Sequence, residues 1–220
     1  MRRPPCHNHS MLILASASPR RRELLTQAGF TFQVLPAHIP EDPMANEDPI
    51  AYVERLAREK AQAAFQAALG DVESADGLVV LGADTTVTLD NQILGKPEDA
   101  ENAARMLRLL SGRTHRVITG VAVVTATGVE VAAEITSVTF LEMPEEEIAS
   151  YVASGEPMDK AGAYAIQGRA ARWIPSIQGD YFNVVGLPIA MVTTLLEGVG
   201  CRTSATRTVP QPTKFAEGSN

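Results

Sequence analysis

Several stretches of this chain carry residues able to work on an anionic substrate. The first is Ser16-Ala17-Ser18-Pro19-Arg20-Arg21, placed between an apolar run and a helical pattern. A helix start offers unpaired N–H groups and the positive end of the dipole, and so attracts anions. Ser16 and Ser18 add hydroxyls, and Arg20 and Arg21 add guanidinium groups suited to phosphate oxygens. At about 100° per residue, Leu24, Leu25 and Ala28 define the buried side. Arg21 lies on that side, Arg20 on its border, and Arg22 points away. An inward arginine predicts an anionic partner, because unpaired burial of charge is expensive. An N-cap followed by surface arginines would produce the same string.

Lys60 falls inside the apolar stripe formed by Ile50, Val53, Leu56, Ala57, Ala61, Ala64 and Ala68, while Arg55 and Glu59 project outward. A lysine there either meets an anion or snorkels from the edge of the stripe. Asp84, in Gly82-Ala83-Asp84-Thr85-Thr86, follows an apolar run at 78–83. A carboxylate beyond a strand end can hold a metal or deprotonate water, although turns also use Asp. Lys96 follows a short strand and is either a second substrate cation or a solvated loop residue. In 159–168, glycines bracket Tyr164 and Gln167. The Gln167 amide, with its donor and acceptor, can read a nucleobase edge and Tyr164 can pack in the pocket, but a glycine-kinked strand fits as well. Glu41 lies in an acidic loop and is a further candidate metal ligand.

These residues need a scaffold. The patterns predict strands at 11–15 and 30–35, with a helix over 19–28 between them, capped by Ser18 and Pro19 and stopped at Gly29. A loop covers 36–48, and a long helix runs from Asp48-Pro49 to Gly70. A buried strand at 78–83 precedes a hairpin of 86–89 and 93–94 around Asp90-Asn91-Gln92. A helix over 99–110, strands at 116–126 and 129–140, and helices at 144–154 and 188–196 complete the list. The alternation predicts an α/β fold, and the 116–140 hairpin makes the sheet mixed.

The 220 residues allow one large domain or a two-lobed one. A net charge of −7 argues against wrapping nucleic acid, so any anionic ligand depends on a few local cations. Cys6 and Cys201 give no disulfide framework or metal spacing and are expected to be inert thiols in tails, consistent with a reducing, cytoplasmic setting. Arg2-Arg3 and the run 11–15 mimic a signal peptide, but the run is shorter than the usual apolar region of about 7–15 residues. No segment is long enough to cross a membrane. Met11 offers a second start, with 1–10 an extension and 201–220 a polar tail, both expected to be disordered.

Taken together, LASASPRRRELL (14–25), RLAREKA (55–61), LGADTTV (81–87), LGKPEDAENAARMLRLLSGRTHRVITGVAVV (94–124), YVASGEPMDKAGAYAIQG (151–168) and VVGLP (184–188) resemble the Maf family of nucleotide pyrophosphatases. The resemblance spans roughly 11–197. It implies an inosine-triphosphate-pyrophosphatase-like fold with two lobes around a central cleft, over a single domain at 11–200. It also implies hydrolysis of a nucleoside triphosphate between the α and β phosphates, a divalent metal (Mg or Mn), and a possible homodimer. Residue by residue, it puts phosphate binding on Ser16, Arg20 and Arg21, the lysines of the site on Lys60 and Lys96, the acidic loop ligand on Glu41, and the catalytic carboxylate on Asp84. Arg20, Thr85 and Gln167 match the specificity positions of the subgroup acting on dTTP and UTP. Two alternatives stay open: the same chemistry on another or modified nucleotide, and a nucleotide-binding regulator of cell division.

Overall fold

A computed structural model describes residues 10–203, apart from 71 and 73. The expected extension up to residue 9, with Cys6, and the tail after 203 lie outside the described residues. The strands are Met11–Leu14 (β1), Gln33–Val34 (β2), Leu78–Leu89 (β3), Gln92–Leu94 (β4), Thr114–Thr125 (β5), Gly128–Thr139 (β6) and Ser176–Gln178 (β7). The helices are Pro19–Gln27 (α1), Pro49–Leu69 (α2), Ala100–Leu110 (α3), Glu145–Ala153 (α4), Tyr181–Val185 (α5) and Ile189–Gly198 (α6). Short 3₁₀ turns cover Glu156–Asp159, Ala161–Ala163 and Arg169–Trp173.

The helix starts follow local rules. The Ser18 hydroxyl accepts the Arg21 amide, Asp48 accepts the Ile50 and Ala51 amides, and Asp99 accepts the Asn102 amide. Prolines occupy the first turns of α1 and α2. Asp90 and Asn91 take φ of 51° and 62°, the left-handed pair that closes a two-residue hairpin between β3 and β4.

One mixed sheet has the order β2-β1-β3-β5-β6-β7, with β4 also on β3. The pairs β2–β1 and β1–β3 are parallel; the others are antiparallel. β5 pairs with β3 along one edge from Val79 to Thr88. The other edge is shared: β1 covers Leu78 to Leu81, and β4 covers Val87 to Leu89. Residues 82–86 of β3 are therefore left unpaired on that edge, a gap of about 15 Å at the usual rise per residue.

Two glycines set how closely α2 rides on this sheet. A Cβ on Gly82 would stand 2.3 Å from the Ala57 carbonyl oxygen, and one on Gly120 would stand 2.3 Å from the Val53 carbonyl oxygen. Both φ values are ordinary, so the close approach, not the conformation, demands glycine. Core clusters cover both faces of the sheet near β1, and a third gathers α3, α4 and the far end of β3 around Phe140, Tyr151 and Trp173. The mixed α/β architecture with two lobes is as expected.

Three expectations change. The apolar run at 78–83 and the segment 86–89 are one strand, because β5 supplies ladder partners straight through Asp84. Of the strand expected at 30–35, only Gln33–Val34 pairs; Phe30 instead packs in the core beside α1, its amide bonded to the Leu25 carbonyl. Cys201 is buried rather than in a tail, since Gly200, with φ of 86°, turns the chain back and the Cys201 amide bonds to the Leu196 carbonyl.

Candidate active site

The unpaired stretch of β3 floors a cavity of about 500 Å³, within the range of small-molecule sites. Ser16, Arg20, Arg21, Glu41, Lys60, Asp84, Thr85, Lys96, Tyr164 and Gln167 all line it. Chain segments far apart in sequence thus supply one cleft.

Lys60 reaches the cleft because α2 lies on the glycine shelf. It follows Ala57 by about one turn, and Asp84 follows Gly82 on the same face of β3. The Lys60 Nζ stands 2.6 Å from Asp84 Oδ1 and 2.6 Å from Glu41 Oε1. Lys60 and Asp84 side chains are only 9% and 10% exposed, whereas Glu41 is 44% exposed, so the ammonium is a buried ion-pair member and does not snorkel. Lys96 is more open and lies 3.9 Å from Glu41 Oε2.

The two carboxylates are driven apart. Burial raises the pKa of Asp84, against the pull of the Lys60 and Arg21 charges. For Glu41 burial also pushes upward, but the hydrogen bond and charge of Lys60, aided by Lys96 and Arg21, outweigh it and lower the pKa. Of the pair, Asp84 therefore takes up a proton the more readily. It sits inside β3 rather than beyond a strand end; the strand end that opens on the cleft is that of β1, where Ser16 follows.

Arg21 departs from the expectation of an anionic partner. Its Nε donates to the Gly186 carbonyl at 2.8 Å, Nη1 to the Ala83 carbonyl at 2.8 Å and Ser16 Oγ at 3.2 Å, and Nη2 to Thr85 Oγ1 at 2.9 Å. Neutral oxygens thus occupy four of its five N–H bonds. The Ala83 carbonyl is one that the gap in the sheet left open. Thr85 is likewise turned inward, to Thr119 Oγ1 at 2.9 Å, and Thr119 donates to the Asn183 carbonyl at 3.1 Å. Arg22 is exposed, as the helical phase requires.

Ser16 Oγ also accepts the Ser18 amide at 3.3 Å, and the Ser18 cap takes the Arg21 amide. Pro19 has no N–H, and the Arg22 amide bonds to the Ser18 carbonyl. Among the described residues, the Arg20 amide is left as the open donor of the first turn. The Arg20 side chain meets Asp159 Oδ2 at 3.4 Å across the mouth of the cleft. Gln167 is exposed on the cleft wall, and its amide makes no hydrogen bond among the described residues. The segment around it is not a strand, because Gly162 and Ala163 both take positive φ (69° and 59°).

Sequence patterns missed the residues that hold these groups. Tyr52 Oη donates to the Glu41 carbonyl at 2.8 Å. Arg55 pairs with both oxygens of Glu47, at 2.6 and 2.8 Å, and donates to the Asp42 carbonyl at 3.2 Å. The outward phase of Arg55 was legible; the loop folding over it was not. Among the described residues, no cluster of three or more His, Cys, Asp or Glu could hold a metal by itself. Glu41 and Asp84, both bonded to Lys60, are the carboxylates that would hold a magnesium-like ion, which takes one or two carboxylates and completes its shell with water and substrate phosphates. Among the described residues, no helix is long and apolar enough to cross a membrane.

The chain is similar to several known proteins. The chain is 53% identical over 189 residues to the dTTP/UTP pyrophosphatase of Koribacter versatilis (strain Ellin345), covering 86% of this chain and 94% of the relative. It is 50% identical to the dTTP/UTP pyrophosphatase of Geobacter sp. (strain M21), over 87% of this chain and 97% of the relative. It is also 50% identical to that of Shigella sonnei (strain Ss046), over 84% and 91%. A distant likeness, at 14% identity and a TM-score of 0.42, links it to the solved structure of the Staphylococcus aureus Ham1 protein, covering 86% of this chain and 99% of that one. A family model described as Maf-like protein matches residues 11–199, and the chain belongs to that family.

Proposed function

We propose that this protein hydrolyses pyrimidine nucleoside triphosphates, dTTP and UTP, at the α–β phosphoanhydride. Water enters, and a nucleoside monophosphate and pyrophosphate leave. The observation that carries this reading is the convergence of Glu41, Lys60 and Asp84 on the open edge of β3, opposite the start of α1. The names and extent of the relatives support the substrate.

In this reading the triphosphate lies along the gap in the sheet. Ser16, the Arg20 amide and the Arg20 side chain bind phosphate oxygens at the helix start. Arg20 gives up Asp159 to do so. Arg21 acts mainly as a fixed positive charge that shapes the floor. Lys60 and Lys96 neutralise charge that builds on the pyrophosphate leaving group. Asp84 accepts a proton from the attacking water, the role to which its raised pKa suits it. A divalent cation held by Glu41 and Asp84 would supply further charge neutralisation on the phosphates. Gln167 meets the base edge, and Thr85 shapes the pocket beside it. Such a nucleotide-pool enzyme would work in the cytoplasm.

Pyrophosphate release from a panel of nucleoside triphosphates, with magnesium and with manganese, tests the reading. A preference for dTTP and UTP is expected. Replacing Asp84 with Asn should abolish turnover while nucleotide binding persists; full turnover in D84N would remove Asp84 from its role.

A further inference from the structure

Among the described residues the Gln167 side chain has no hydrogen bond, yet the turn that carries it is tightly held. The Gly168 amide bonds to the Ala165 carbonyl at 3.1 Å, which closes a four-residue turn with Ile166 and Gln167 at its tip. Both ends of this turn are tied to the α4 region. At one end, the Ala165 amide donates to Tyr151 Oη at 3.1 Å. At the other, the Arg169 amide donates to Glu156 Oε1 at 3.0 Å and lies 3.3 Å from Oε2. Tyr151 Oη in turn donates to Glu156 Oε1 at 2.8 Å, so the two anchors are joined.

Packing reinforces the hydrogen bonds. Tyr151 is completely buried and its ring meets Trp173 edge-on at 5.5 Å. The Glu156 carboxylate lies directly on the Cα of Gly168: a Cβ there would stand 1.9 Å from Oε1. Gly168 has an ordinary φ of −103°, so the carboxylate, not the backbone, excludes a side chain. Lys160 Nζ donates to the Glu156 carbonyl at 2.6 Å and steadies the 3₁₀ turn on which Glu156 sits.

We infer that Tyr151 and Glu156 are positioning residues for Gln167, and that their joined clamp on the 165–169 turn sets the base selectivity of the cleft. The inference rests on the proposed nucleotide reading of the cleft. An amide that selects a base must hold its donor and acceptor in a fixed order and direction. A free side chain on a loose turn would let either group face the base. Neither Tyr151 nor Glu156 lines the cavity, so neither touches the substrate.

The test measures kcat and KM on a nucleotide panel for the full chain and for Q167A, E156A, E156Q and Y151F. Selectivity is the ratio of kcat/KM between the preferred nucleotide and the next, whichever these are. E156A is expected to lower that ratio about tenfold, in the same direction as Q167A, with the change carried by KM of the preferred nucleotide. Y151F should lower it by a few-fold. E156Q should stay near the parent, because the amide oxygen still accepts from Tyr151 and Arg169. Hydrogen exchange supplies a readout independent of turnover: the Ala165 amide should lose protection in Y151F, and the Arg169 amide in E156A. If E156A fails to fold, Y151F and G168A carry the test. An unchanged ratio in E156A and Y151F overturns the inference, as does an equal loss on every nucleotide. A parent that prefers a purine removes the substrate reading, while the ratio and the exchange data still decide the clamp.

Discussion

Replacing Lys60 with Met removes the cation from between two carboxylates while keeping the length of its stem. Asp84 is then left inside the protein with its charge unmet, since its side chain is only 10% exposed. Breaking one partner from a buried ion pair costs about 3–5 kcal/mol. Coulomb's law gives the same scale, about 4 kcal/mol for unit charges about 4 Å apart at an effective dielectric of about 20. The Glu41 contact adds at most about 1 kcal/mol, because that carboxylate is half in solvent. For a chain of this size a loss of about 4 kcal/mol lowers Tm by roughly 10 °C. Urea and thermal unfolding at pH 7.5 in chelator, so that no divalent ion stands in for the ammonium, provide the assay. The decisive comparison is K60M/D84N, in which the unmet charge is gone and most of the loss should be recovered. Turnover should be lost in both variants. If K60M unfolds within about 1 kcal/mol of the parent, or if the double variant is no more stable than K60M, the buried pair does not hold α2 to β3.

Other predictions concern the scaffold. G120A places a methyl group 2.3 Å from the Val53 carbonyl oxygen, and the rigid backbone there must give way. A loss of about 1–3 kcal/mol in urea unfolding is expected, together with a fall in turnover as α2 lifts Lys60 from Asp84. His115 is 2% exposed, and burial lowers its pKa to about 4. The folded state therefore binds its proton more weakly than the unfolded state does. Stability from this group is present above about pH 6.5 and is lost as pH falls toward 4, by about 2 kcal/mol between pH 7 and 5. H115Q should flatten that slope in urea titrations; an unchanged slope would assign the pH dependence to other groups.

Much of the site was legible because its signals are local. Ser18, Pro19, Asp48 and Pro49 state where two helices begin, and helical phase alone put Lys60 in a buried stripe, where it would either meet an anion or snorkel. What escaped depends on partners distant in sequence. Asp84-Thr85-Thr86 interrupts an apolar run and reads as a strand end, yet β5 pairs straight past it. Arg21 was correctly turned inward, but phase cannot distinguish a phosphate from a ring of carbonyls and hydroxyls. The clamps from Tyr52, Arg55, Tyr151 and Glu156 arise where irregular loops fold back on helices, and no periodicity records such contacts. The glycine at 168 is visible in the sequence, but its reason, the Glu156 carboxylate pressed against it at an ordinary φ, appears only in the fold.

β3 and β5, each of 12 residues, run unbroken from one lobe into the other. A hinge at the centre of the sheet would have to break the ladder that joins these two strands. Opening of the cleft would then fall to its margins: the Glu41 loop on one side, the Gln167 turn on the other. Each is tethered through a tyrosine hydroxyl to a rigid helix, α2 for the first and α4 for the second. Each tether would then set the ease of opening on its own side, apart from the frame that carries Lys60 and Asp84.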